Sequence, residues 1–304
     1  MDVHMDIQSM IGNTPILKLL HFEVKQHVDI YAKLELMNPA GSIKDRVGRF
    51  MIEDAKARGV LTEGGTIIDA TAGNMGIGIA MAALNQGYQI IFTVPEKFSV
   101  EKQKIMKAFG AKIVHTVREE GMLGAQREAD KMVAQIKGAV SLNQFKNPAN
   151  PRVHYETTGP EIYQQMDGKI DYFVAGAGSG GTFTGVMKYL KEQDHMIQGV
   201  LADPVGSIIG GGEHADYDIE GIGNDFIADT MDVSLIDQVI KVTDAEAFRM
   251  VRLLASKEGV LAGSSSGAAL AASLKLADQI DSGNIVTIFP DRGDRYLSKG
   301  LFGT

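Results

Sequence analysis

DYFVAGAGSGGTFTGVMKYLKEQ, residues 171–193, passes from a short apolar run through a glycine-rich turn into a helix-length segment. The apolar run is too short for a buried helix and is bounded by glycine, so it reads as an interior strand. Working outward, the same order recurs. Short β-branched runs occur in "VDIYAKLEL" (28–36), "GTIIDA", "YQIIFTVP", "AKIVHT", "MIQGVLAD", "QVIKVT" and "NIVTIFP". Helix-length segments lie between them at 44–58, 76–86, 99–109, 119–137, 152–165, 182–193, 244–257 and 267–280. Strands that alternate with helices predict an α/β fold of mostly parallel sheets covered by helices on both faces. The loops that follow the strands then share one edge of each sheet.

Three small-residue turns are each expected to follow a strand and open a helix: "ATAGNMGIG" (70–78), "GAGSGGTFTG" (176–185) and "AGSSSGAA" (262–269). Backbone N–H groups at a helix start, with no Cβ in the way, form an anion site that the helix dipole reinforces. Phosphate is the natural occupant of "GSGGT", where Thr182 adds a hydroxyl; tight strand–helix packing is the plain alternative. Gly176, Gly178 and Gly181 also match G-x-G-x-x-G, and Asp203 ends the next expected strand, where a ribose-binding acid would sit. A nucleotide-dependent oxidoreductase using NAD(P) is therefore a rival reading. It leaves the other two turns and the lysine motif below without a task.

Composition narrows the classes. The 304 residues contain 30 Lys+Arg against 38 Asp+Glu, a net charge of −8, which argues against a broad nucleic-acid or anionic-membrane footprint. There is no cysteine, which removes disulfides, thiolate metal sites and a cysteine nucleophile. The seven histidines show no metal-ligand spacing, so no metal is expected. No apolar run approaches the ~18 residues of a membrane helix, and "MDVHMDIQSMIGNTP" has no signal-peptide core, so a cytoplasmic protein is expected.

"NPAGSIKDR" (38–46) places Lys44 after a Pro–Gly turn at a helix start. The positive end of the helix dipole and any burial both favour a neutral amine, the form that Schiff-base chemistry requires. A solvated lysine is the plain reading of this motif alone. In combination, "NPAGSIKDR", "ATAGNMGIGIA", "NQFKNPANPRVHYETTGPEI" (143–162), "GAGSGGTFTGV" and "EGVLAGSSSGAA" (258–269) resemble, in order and spacing, the cysteine synthase/cystathionine β-synthase family. The likeness runs from "IGNTPILKL" (11–19) to "PDRGDRYLS" (290–298), nearly the whole chain. These are enzymes dependent on pyridoxal 5′-phosphate with the tryptophan-synthase-β type of fold, fold type II.

The resemblance implies two αβα domains with the cofactor in the cleft between them. The smaller, mobile one spans 38–147; the larger comprises 1–37 and 148–304. Lys44 resembles the lysine that forms the Schiff base and takes the α-proton. Gly178, Ser179, Gly180, Gly181 and Thr182 resemble the cup for the 5′-phosphate. Asn74 is similar to the asparagine that binds the cofactor's 3′-oxygen, and Ser265 to the hydroxyl facing the pyridine nitrogen, although a serine there also suits a helix N-cap. Thr71, Ala72, Gly73, Asn74 and Met75 resemble the loop for the substrate α-carboxylate, assisted by Gln144. The family pattern there is Thr-Ser-Gly-Asn-Thr, so Ala72 and Met75 remove two hydroxyls.

The reaction implied is β-replacement through an aminoacrylate, with an amino acid carrying a β-leaving group and a sulfur nucleophile as substrates. "YDIEGIGNDFI" (217–227) and "DPVGSI" (203–208) resemble the cystathionine β-synthase version, and Asp225 would receive the amino group of homocysteine, which sulfide lacks. The expected reaction is O-acetylserine, or serine, with homocysteine; cysteine synthase, using sulfide, is the alternative. The family is typically homodimeric, and the apolar N-terminal arm is the expected exchange element. Some relatives dock a serine acetyltransferase tail in their active site, but a retained Lys44 argues against that as a sole role.

Overall fold

The structure, a computed structural model, describes residues 3–96 and 98–302. In chain order the elements are β1 (Ile16–Lys18), β2 (Val28–Lys33), α1 (Lys44–Ala57), β3 (Thr66–Ala70), α2 (Asn74–Ala82), β4 (Gln89–Pro95), α3 (Val100–Ala108), β5 (Lys112–Thr116), α4 (Gly121–Gln135) and β6 (Ala139–Val140). They continue with α5 (Ala149–Val153), α6 (Gly159–Gln165), β7 (Tyr172–Ala175), α7 (Gly181–Gln193), β8 (Gln198–Pro204), β9 (Gln238–Val242), α8 (Asp244–Leu253), α9 (Ser264–Gln279) and β10 (Gly283–Ile288). The chain divides into two compact units, one of Asn38–Ala149 with the residues up to 11, the other of Gly12–Met37 with the residues from 150 onward.

The first unit is built on a parallel four-stranded sheet in the order β5-β4-β3-β6. Ile68 and Ile91 on one face pack with Ala129 of α4. The sequence of α2, NMGIGIAMA, has no polar stripe, and a helix apolar all round must be buried. Eight of its nine residues are buried accordingly. It crosses α1 where two glycines meet: a Cβ at Gly48 would lie 2.5 Å from the Gly78 carbonyl carbon, and one at Gly78 would overlap the Lys44 carbonyl. Only glycine at both positions lets the helix backbones approach this closely.

The second unit contains a six-stranded sheet in the order β1-β2-β10-β7-β8-β9, parallel except for the β1–β2 edge. Its core gathers Ile30, Val174, Val200, Ile285 and Phe289 with the buried face of α9, including Leu270 and Leu276. A capping box between Thr243 and Glu246 starts α8, and Gly267 permits α9 to pass against the Ala247 carbonyl of that helix.

Strand order carries functional information. In the first sheet the chain leaves β3 toward β4 and β5, while β6 lies on the other side of β3. In the second it leaves β7 toward β8 and β9, while β10 lies on the other side. Each sheet thus has a topological switch point, at β3/β6 and at β7/β10. Crevices at the carboxyl ends of strands flanking such a point are where open α/β sheets bind ligands.

Candidate active site

Residues 38–45 fold into a turn that presents Lys44 at the head of α1. Gly41 adopts φ 84, and its N–H donates to the Asn38 carbonyl at 2.8 Å. The buried Asp45 carboxylate accepts the Ala40 N–H at 2.7 Å and the Ser42 hydroxyl at 3.4 Å, and the Lys44 N–H donates to Ser42 Oγ at 3.2 Å. Asp45 is therefore engaged by the turn behind it. Among the described residues no carboxylate or carbonyl accepts from the Lys44 amine. Desolvation pushes that amine down from 10.5 to about 8. A lysine close to neutrality at a helix start has the character of a nucleophile and base rather than an ion-pair partner.

The loop Thr71–Met75 leaves the end of β3 at the first switch point, and Gln144 lies in the turn that follows β6 on the other side of that point. Thr71, Ala72 and Met75 are buried, and Gly73 is the N-cap of α2, which begins at Asn74. A Cβ on Gly73 would meet nothing within 4 Å, so the loop is open above it. The N–H groups of Ala72 and Gly73 donate to no described backbone carbonyl. With the first-turn donors of α2 they offer an anion exposed N–H groups even though Ala72 and Met75 lack hydroxyls.

At the second switch point the turn after β7 is wired from behind. The Gly178 carbonyl accepts Asn224 Nδ2 at 2.7 Å, the Ser179 carbonyl accepts the Thr230 hydroxyl at 2.5 Å, and Ser179 Oγ accepts Asn150 Nδ2 at 2.9 Å. Gly180 has φ 79 and packs on Met231, while Gly181 leaves no room for a Cβ beside the Asn150 amide. With its carbonyls held inward, the N–H groups of Ser179, Gly180, Gly181 and Thr182 donate to no described backbone carbonyl. Four such donors at the N-terminus of the 13-residue α7 offer an anion a cradle of N–H groups. Thr182 Oγ1 lies 3.2 Å from Nε2 of His154, whose Nδ1 is 2.9 Å from Thr158 Oγ1, so this fully buried histidine supports the cradle's hydroxyl.

Ser264, Ser265 and Ser266 are buried at the start of α9. An expectation and an alternative reading fail here. The turn 262–269 follows no strand; Ala262 forms only an isolated bridge with Arg292. The N-cap of α9 is Gly263 and no serine side chain caps the helix, so capping does not explain Ser265. Ser264 Oγ accepts the Glu220 N–H at 2.9 Å, whereas the Ser265 hydroxyl bonds to no described residue. The loop 217–227 thus connects both features, reaching Ser264 through Glu220 and the phosphate cradle through Asn224. On the same loop Asp225 is exposed, and its charge, with those of Asp203 and Asp244, adds to the burial that raises the Tyr217 phenol.

Asp203, the acid of the dinucleotide reading, is unavailable. It is wholly buried, and its Oδ2 accepts Lys241 Nζ at 2.6 Å and the Gly210 N–H at 3.0 Å. Gly176 and Gly178 of that fingerprint are accounted for by packing on Ile222 and on the Gly221 carbonyl. Sequence reasoning missed Asn150, Thr230 and Asn224, which wire the cradle. Asn224 lies inside a quoted motif, but its target is 46 residues away, and nothing local signals such a bond.

Each unit by itself offers groups that suit pyridoxal phosphate: in the first, a desolvated lysine whose amine matches an aldehyde; in the second, N–H donors at a helix start that match a phosphate, and the buried Ser265 hydroxyl. Residues 7–291 match the family model described as pyridoxal-phosphate dependent enzyme. The chain is 52% identical over 303 residues to the O-acetylserine dependent cystathionine beta-synthase of Bacillus subtilis, covering 99% of both chains. It is 44% identical over 299 residues to a cysteine synthase of Helicobacter pylori, covering 97% of this chain and 98% of the relative. Among solved structures, an O-acetylserine dependent cystathionine beta-synthase from Helicobacter pylori superposes with a TM-score of 0.94 at 44% identity, covering 99% of this chain and 100% of that one. Names for both reactions occur among close relatives, so the choice of thiol has to be argued from residues.

Proposed function

The chain belongs to the pyridoxal-phosphate-dependent enzymes of fold type II, and on that premise we propose that it joins O-acetylserine to homocysteine, releasing acetate and forming cystathionine. Bound pyridoxal phosphate supplies an aldehyde carbon that takes an amine and a conjugated ring that accepts electrons as the α-proton leaves. In this reading Lys44 would hold the cofactor covalently through Nζ and, once freed, its neutral amine would take the α-proton of the amino acid and later return it. An amine whose pKa is about 8 suits both transfers near neutrality. The N–H groups of Gly178–Thr182 bind the phosphate and Asn74 the 3′-oxygen. Ser265 gives the ring nitrogen a neutral hydrogen-bond partner, which makes a moderate electron sink suited to expelling a β-substituent.

Thr71, the N–H groups of Ala72, Gly73 and Met75, and Gln144 bind the substrate α-carboxylate. The observation that carries the reaction class is the Lys44 amine, desolvated and unpaired at a helix start. The observation that favours homocysteine over sulfide is Asp225, an exposed carboxylate on the loop tied to both the cradle and the serine cluster. It offers a counter-charge to the thiol substrate's ammonium. A cytoplasmic homodimer acting on small molecules completes the proposal; among the described residues no helix is long and apolar enough to cross a membrane.

Borohydride reduction of the holoenzyme followed by peptide mapping should mark Lys44. Product analysis with O-acetylserine should show cystathionine formed faster than cysteine at equal thiol concentration, and Asp225→Ala should lower kcat/KM for homocysteine while sparing sulfide. Turnover with sulfide alone would make the protein a cysteine synthase.

A further inference from the structure

Where the β3–β6 ladder ends, a side chain takes over its hydrogen bonding. The last paired residues are Ile67 and Val140, while β3 runs on to Ala70. Along that overhang Asp69 Oδ1 accepts the Ser141 hydroxyl at 2.5 Å and the Asn143 N–H at 3.2 Å, and Oδ2 accepts the Leu142 N–H at 3.2 Å. Asp69 is buried. A buried carboxylate has to find donors, and this one takes all three from consecutive residues. It therefore fixes the course of the chain after β6 rather than a single atom.

That course leads to Gln144. Asn143 stands at φ 46, in the left-handed region, which asparagine enters more readily than most residues but which still has to be held. The Asn143 carbonyl accepts the Lys146 N–H at 3.1 Å and the Asn147 N–H at 3.0 Å, and Asn147 Nδ2 donates to the Leu142 carbonyl at 2.9 Å. Gln144 sits within this closed turn, whose entry is the Asn143 N–H that Asp69 grips. Toward the other side, Asp69 lies two residues before Thr71 on the same strand. One carboxylate thus spans the switch point of the first sheet and joins the two segments that leave it.

We infer that Asp69 is a positioning residue that sets Gln144 against the Thr71–Met75 loop and so governs affinity for the amino-acid substrate. This rests on the proposed role of both segments in binding an α-carboxylate. The dependence is sharpened by Ala72 and Met75: without their hydroxyls, more of the grip falls on N–H groups and on Gln144, whose placement Asp69 controls. Asp69 itself touches no substrate.

Titration gives the role a signature. Burial pushes the Asp69 carboxyl up to about 6; the bonds from Ser141, Asn143 and Leu142 oppose that shift, and the charge of Asp130 on α4 adds to it. Protonation turns one oxygen from acceptor to donor and loosens the loop, so KM for O-acetylserine should rise below about pH 6, with kcat less affected. Ser141→Ala removes a bond that favours the charged form and should move this acidic limb to higher pH. Asp69→Asn should abolish the limb and raise KM at neutral pH on the order of tenfold. In ligand-free protein the same variant should speed amide hydrogen exchange at Leu142 and Asn143.

If Asp69→Asn fails to fold, Ser141→Ala carries the test alone. A wild-type enzyme that turns over, with an unshifted limb in Ser141→Ala and unchanged KM and exchange in Asp69→Asn, would overturn the positioning role. Failure of the wild-type holoenzyme to release acetate from O-acetylserine would instead overturn the proposed function, and the exchange measurement would still report separately on the hold of Asp69.

Discussion

Replacing Lys44 by methionine should abolish turnover and at the same time stabilise the cofactor-free protein. Burial lowers the amine from 10.5 to about 8, and each pKa unit corresponds to about 1.36 kcal/mol of differential interaction. Keeping Lys44 charged in the folded state therefore costs up to about 3 kcal/mol; because the residue retains some solvent exposure, about 2 kcal/mol is the better expectation. The sign follows from proton counts. Between pH 8 and 10.5 the unfolded chain holds a proton at Lys44 that the folded chain has released, so stability rises with pH across this window and is flat with respect to this group on either side.

Lys44→Met lacks that slope and preserves most of the side-chain volume. Its advantage over wild type should be full below pH 8 and should vanish above 10.5. The assay is urea denaturation of both proteins, stripped of cofactor by an amine that captures its aldehyde, across a series of pH values. Other titrating groups, including the Tyr296 phenol that burial raises, are common to both proteins and cancel in the difference. Equal stability at neutral pH, or a difference that does not change with pH, would refute the claim that the fold holds Lys44 in a desolvated state.

Gly78→Ala should separate α1 from α2 at the Lys44 carbonyl, costing about 1–3 kcal/mol in thermal unfolding and lowering kcat more than the affinity for substrate. Glu161→Ala should be destabilising, by about 3 kcal/mol, because the fully buried Lys33 loses a carboxylate at 2.7 Å. The Thr14 carbonyl and Gln165 Oε1 also accept from Lys33 Nζ, at 2.6 and 2.8 Å; kcat/KM measured well below the melting temperature should be unchanged.

The sheets were legible because their strands are apolar and bounded by turn residues. Strands β3, β4, β5, β7 and β9 each fall within a run that periodicity marks, and β8 and β10 overrun theirs by one residue, Pro204 and Gly283. The three-residue β1 and the two-residue β6 escape, being too short to show a period. The segments 152–165 and 244–257 read as continuous helices but contain π turns at His154–Thr158 and Leu254–Glu258, since one extra residue per turn barely disturbs an apolar pattern. Helix α2 starts at Asn74 rather than 76 because Gly73 can be its N-cap without a side chain. At the site, Lys44 and the glycine turns were visible as motifs, but their chemical meaning came from the family resemblance. The bonds from Asn150, Asn224 and Thr230 to the cradle span 29, 46 and 51 residues, beyond the reach of any local pattern.

The two sheets solve one problem in related ways. A switch point opens a crevice because no connection crosses it, and the same gap leaves the two flanking loops without a shared backbone ladder. In the first sheet Asp69 bridges the gap through its carboxylate. In the second, Asp291 follows β10: its carboxylate accepts the Tyr296 hydroxyl at 2.5 Å and its carbonyl accepts the Gly263 N–H at 3.1 Å, fixing the start of α9 that carries Ser264–Ser266. Gly263 has to be glycine there, since a Cβ would collide with the Asp291 carboxylate. At the first crevice the Asp69 carboxylate itself holds the loop by donors that water would otherwise satisfy; at the second, the Asp291 carboxylate holds Tyr296 while its main-chain carbonyl holds the start of α9. Both acids lie outside the glycine and lysine motifs that announce the site, because what they recognise is the chain itself.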